Sequence, residues 1–157
     1  MNARIKKAGF KYLATLDEFD FSFQPQIDEK LIRELATLSF LDGATNILLV
    51  GAPGVGKTHI SIALGLEATK QRRRVKFISA EELTNELIAA NRSNTITDYL
   101  ETMSRIELLI IDDYSEEHIS KVDYEKLNIY SSFAFWDKLR NANSRQTKSN
   151  HKEKYFS

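Results

Sequence analysis

Eight consecutive residues, Gly51-Ala52-Pro53-Gly54-Val55-Gly56-Lys57-Thr58, have the types and spacing to hold a triphosphate. They fit G-x-x-x-x-G-K-[ST] without mismatch. Gly51, Gly54 and Gly56 permit backbone angles closed to other residues and let the chain come close to a phosphate. The amides of such a loop point inward and form an anion nest at a helix N-terminus, where the macrodipole also favours negative charge. Lys57 is placed to reach the β- and γ-phosphates, and the Thr58 hydroxyl to ligate Mg²⁺. Pro53 stiffens the loop, or is an ordinary turn residue. The cofactor expected on these grounds is ATP with Mg²⁺.

A second acidic signal lies about 50 residues downstream, where the apolar run Leu108-Leu109-Ile110-Ile111 closes on Asp112-Asp113. This is the Walker B arrangement. Asp112 would hold the Mg²⁺ hydration shell at the end of its strand. Asp113 stands where a carboxylate orients or deprotonates the attacking water. The plain alternative, a strand ending in a polar turn, loses weight behind an intact phosphate loop. His59 follows the loop directly, His118 lies in a charged turn and His151 near the C-terminus. They have no ligand spacing, so no metal beyond Mg²⁺ is expected.

These residues need strands and helices to position them. Asn46 to Val50 is a short apolar run ending at the loop, as a buried parallel strand reads. Thr58 to Lys70 reads as a helix with Ile60, Ala63, Leu64 and Ala68 on one face. Val75 to Ile78 is a second strand. Ser79 with Glu82 forms a capping box for a helix to about Asn91, and a short helix follows over Ile96 to Met103. Upstream, residues 1–26 read as an extended lead-in carrying Phe10, Tyr12, Leu13, Leu16, Phe19, Phe21 and Phe23. Asp28 then caps a helix over Glu29 to Leu41 with Leu31, Ile32, Leu35 and Leu38 as its stripe. The organisation expected is a lead-in with a helix (1–45), a phosphate-loop core (46–132) and a basic, disordered tail (133–157).

Composition narrows the class. The 157 residues include 22 Lys+Arg and 22 Asp+Glu, so net charge offers no argument for nucleic acid. The basic turn Gln71-Arg72-Arg73-Arg74 is a local candidate for phosphate contacts, or a solvated turn. With no cysteine there is neither a disulfide framework nor a thiolate metal site. No signal peptide or membrane span is visible, which makes a cytoplasmic protein without a membrane partner the expectation.

The chain resembles the IstB-type helper ATPases of insertion sequences, AAA+ proteins related to the DnaC helicase loader and the DnaA initiator. Lys7 to Phe10, Thr15 to Phe21 and Leu31 to Leu38 resemble that family's lead-in, and Gly51 to Glu67 its phosphate loop, which implies that His59 joins Gly51 to Thr58 in binding the nucleotide. Glu81-Glu82-Leu83 and Leu108 to Tyr114 match as well. The resemblance spans about residues 4–130. It implies an α/β P-loop NTPase fold of three α/β/α layers with a parallel sheet in the order 5-1-4-3-2. It also implies ATP-driven self-association on DNA and recruitment of a partner transposase. It would set Phe19 and Phe21 beside the adenine, whereas the residues by themselves read more readily as core packing.

Two departures are expected from the sequence. Family members carry a small helical domain ahead of the lead-in, and here Met1 falls almost on it. From about Phe133 the family pattern stops, so the fold reads as incomplete after Walker B. No polar sensor residue or arginine finger is found there, and Arg140 and Arg145 lack any motif. The middle of the sheet is then open, filled by Phe133 to Trp136 or another segment, or closed by direct pairing of the first and third strands. The leading expectation is an ATP-binding transposition helper whose own hydrolysis is in doubt. The alternatives are a DnaC-like helicase loader, or a non-hydrolysing or degenerate remnant that binds ATP and DNA.

Overall fold

A computed structural model describes residues 3–43, 46–49, 51–113 and 153–156. Its elements run α1 (Ala3–Ala8), α2 (Glu29–Leu35), α3 (Ser39–Asp42), β1 (Asn46–Leu49), α4 (Lys57–Lys70), β2 (Val75–Ser79), α5 (Ala80–Arg92), α6 (Ile96–Ser104), β3 (Leu108–Asp112) and β4 (Glu153–Phe156).

β2 and β3 pair in parallel, Val75 opposite Leu108 and Ser79 opposite Asp112. Their side chains alternate between faces. Val75 and Leu108 join Ala8, Leu38 and Ala68, while Phe77 and Ile110 join Ala14 and Ile62. Ile78, Leu109 and Ile111 point the other way, onto Leu83, Leu87, Tyr99 and Met103 of α5 and α6. Helices therefore cover both faces, as the α/β/α reading requires. α4 is buried nearly all round, through Ile60, Ile62, Ala63, Leu64, Leu66, Ala68 and Thr69, so it is a central helix rather than an amphipathic one. Its Gly65 lets it sit close on the sheet, since a Cβ there would lie 2.7 Å from both Ile110 Cδ1 and Phe10 Cε1.

Caps and turns hold as the sequence dictates. Asp28 accepts a hydrogen bond from the Leu31 amide at 3.2 Å, and Ser79 and Glu82 form both halves of the capping box. α4 ends in a Schellman turn: Arg72 takes φ 65° and the Arg73 amide donates back to the Ala68 carbonyl at 2.9 Å.

Three expectations change. The lead-in is not extended throughout: Ala3–Ala8 is helical, built from good helix formers and stopped by Gly9 at φ 80°. The helix expected to Leu41 breaks at Leu38, which adopts φ 64° and is 1% exposed. Burying that side chain against Ala8, Ala68 and Val75 outweighs the left-handed backbone. Part of the expected tail is a strand: Glu153–Phe156 pairs in parallel with β1, Asn46 opposite Glu153 and Leu49 opposite Phe156. Of the arrangements left open for the sheet, the described strands show β1 paired with β4 and β2 with β3, as two two-stranded sheets. Val50 and residues 114–152, with the segment Phe133 to Trp136, lie outside the described residues.

Candidate functional site

The loop from Gly51 enters α4 through Gly54 and Gly56, at φ 82° and 95°. Gly56 is the N-cap of α4, and the Ile60 amide donates to its carbonyl at 3.0 Å. A side chain at Gly56 has no room, since a Cβ would lie 2.3 Å from Cε2 of Phe19. Lys57 Nζ donates to the carbonyls of Gly51 and Ala52, both at 2.8 Å, so the lysine is curled over its own loop. An anion at the loop has to draw it off these two carbonyls.

The two motifs meet across 54 residues of sequence, where Thr58 Oγ1 donates to Asp112 Oδ1 at 2.9 Å. Asp112 ends β3 and is buried, while Asp113 turns out to solvent at φ 54°, a conformation that Asp tolerates better than most residues. A hydroxyl and a carboxylate are hard oxygen donors suited to Mg²⁺, which binds through one or two carboxylates together with substrate phosphates. Among the described residues no group of three His, Cys, Asp or Glu side chains is gathered as an all-protein metal cage would need.

A cation that no motif contains reaches the same place. Lys11 Nζ donates to Asp112 Oδ2 at 3.4 Å and to Asp113 Oδ2 at 3.3 Å. Partial desolvation lowers its pKa, but the bonds and charges of Asp113 and Asp112 outweigh this and hold the ammonium above its usual 10.5. Spacing gave no signal for Lys11.

The lead-in is tied to the loop at two further points. His59 Nε2 bonds the Thr15 carbonyl at 2.8 Å, and Glu18 accepts from the Thr15 amide and hydroxyl, which lowers its pKa. The Phe19 ring stacks edge-on with Phe21 at 4.8 Å and with His59 at 5.3 Å. Phe19 and Phe21 both pack on the cluster of Leu16, Ile32, Leu35, Ile60, Ala63 and Leu64. These aromatics thus pack on the core, and His59 ties the lead-in to the start of α4. The basic turn is partly compensated: Arg73 bonds Asp42 at 3.0 Å and Glu107 at 3.2 Å, and Arg74 pairs with Glu107.

A family model described as IstB-like ATP binding protein matches residues 1–132. The chain belongs to this IstB-like family. A Pseudomonas aeruginosa protein of insertion sequence IS21, named for ATP binding, is 42% identical over 113 residues, which cover 72% of this chain and 43% of that relative. A Geobacillus stearothermophilus protein of IS5376, likewise named, is 43% identical over 109 residues, 69% of this chain and 43% of the relative. One of IS232 from Bacillus thuringiensis subsp. berliner is 32% identical over 154 residues, 88% of this chain and 62% of the relative. This IstB-like chain thus spans less than two thirds of each of these relatives. Its helices and two small parallel strand pairs are consistent with an incomplete α/β P-loop fold of this family. Among the described residues no helix is long and apolar enough to cross a membrane.

Proposed function

We propose that this IstB-like chain binds ATP·Mg²⁺ at Gly51 to Thr58 and Asp112, and that it serves as a cytoplasmic helper of a transposase on DNA. The observation that carries the reading is the 2.9 Å bond from Thr58 to Asp112, which joins the phosphate loop to the acidic strand end. The insertion-sequence names of the relatives favour a transposition helper over a helicase loader. DNA contact and self-association belong to the same proposal, with Arg72 as the turn residue whose charge is best placed for a phosphate.

In this reading the loop amides and Lys57 bind the β- and γ-phosphates. Thr58 and Asp112 hold Mg²⁺, which when bound neutralises charge developing on the phosphates. Asp113, exposed at the strand end, orients a water for in-line attack. Among the described residues Arg33, Arg73, Arg74 and Arg105 pair with acids outside the site, and an arginine finger contributes ~10³–10⁵ in rate in P-loop systems, so turnover is expected to be slow unless another arginine supplies it.

The test compares ATP affinity in Mg²⁺ and in EDTA. Thr58→Ala and Asp112→Asn are expected to cut the gain from Mg²⁺ by about tenfold or more while ATP still binds in EDTA. Full Mg²⁺ gain in Asp112→Asn would remove Asp112 from the site.

A further inference from the structure

Lys11 is set in place by packing on both sides. Phe10 packs against Phe77 and Ile110, the latter two residues before Asp112, and Ala14 is buried in the same cluster. The segment between them has to cross the end of β3, and it delivers the Lys11 ammonium there although 101 residues separate it from Asp112. Asp112 consequently divides its oxygens, Oδ1 accepting from Thr58 and Oδ2 from Lys11, while Asp113 shares the same ammonium. The Lys11 side chain is 48% exposed. Its flexible stem allows it to leave without unpacking the core.

We propose that Lys11 is a built-in competitor for the divalent cation, an ammonium that holds Asp112 and Asp113 together and must release Asp112 before a metal can use it. Two cations cannot both sit against one buried carboxylate without repulsion. Lys11 therefore raises the Mg²⁺ concentration at which nucleotide is held tightly. It couples the lead-in to the site, since the segment anchored by Phe10 and Ala14 carries the ammonium that a metal must displace from Asp112. The inference rests on the reading of Asp112 as the metal-side carboxylate.

The readout is the ratio of ATP affinity in Mg²⁺ to that in EDTA, measured on the full chain by titration calorimetry. Mn²⁺ binding to the protein alone, followed by electron paramagnetic resonance, is the second readout. Removing the competitor in Lys11→Met should raise the ratio about threefold or more, the scale of a partly exposed ion pair. More Mn²⁺ should also be bound at a given concentration. Lys11→Gln should behave in the same way, Lys11→Arg should keep the wild-type ratio, and the difference should shrink at high salt. In an Asp112→Asn background Lys11→Met should change nothing. An unchanged or smaller ratio in both Lys11→Met and Lys11→Gln, with Asp112→Asn still abolishing the Mg²⁺ gain, would overturn the role of Lys11 and leave the site intact. A full Mg²⁺ gain in Asp112→Asn would overturn both.

Discussion

Gly56 meets two constraints at once, its own backbone at φ 95° and the Phe19 ring that a Cβ would strike. Gly56→Ala should therefore destabilise the chain by about 1–3 kcal/mol and weaken ATP binding. Phe19→Leu in that background should return only the part due to the clash. A thermal melt and an ATP titration of the two variants beside the unmodified chain check this; an unchanged melt for Gly56→Ala would mean the loop is not held as described. The glycine pattern, Lys57, Thr58 and the Asp112-Asp113 pair were legible in the sequence because their spacing is local. Lys11 and the Phe19–Gly56 contact were not, because each depends on a chain path that brings remote segments together. The same limit applies to Phe19 and Phe21, whose types favour a core over an adenine face, and which pack against the cluster around Leu16 and Ile60.

At the level of elements, the turn after α4 separates charge from structure. Arg72 occupies the left-handed C′ position that glycine favours, while Arg73 and Arg74 are braced by Glu107 and Asp42. Arg72→Gly should keep or raise stability by about 0.5–1 kcal/mol while removing a charge. Arg73→Ala should lower it. Chemical denaturation of both distinguishes them, and a clear loss in Arg72→Gly would contradict the assigned turn. If the turn also contacts DNA, Arg72→Gly is the variant that can show it without unfolding. Strand and helix periodicity and the Ser79–Glu82 box gave β2, β3, α4, α5 and α6 nearly to the residue, and Asp28 marked the start of α2. The break at Leu38 escaped because no propensity marks a leucine for a left-handed backbone; only its burial explains it. α1 escaped because the aromatic residues after Gly9 set the reading of the whole lead-in.

Across the whole molecule, acid is the condition that should loosen it. Glu107 is opposed by desolvation, yet the Arg74 amide and the Arg73 and Arg74 charges hold its pKa below the usual 4.5. Hydrogen bonds from Ser79 lower Glu82, and those from Ser22 and Phe23 lower Asp20. A carboxylate with a lowered folded-state pKa contributes stability above its unfolded value and loses it as pH falls through the folded one. The melting temperature should therefore hold down to about pH 5 and then fall, and Glu107→Gln should flatten part of that fall. A flat melting temperature from neutrality to pH 3 would contradict the network. The measurement closest to the central claim is calorimetric titration of the chain with ATP·Mg²⁺ beside Lys57→Ala. Saturable binding is expected, weakened about 100-fold or more by the substitution, since charge-assisted hydrogen bonds to phosphate are lost. Binding of equal strength in both chains, or none in the unmodified one, would contradict it.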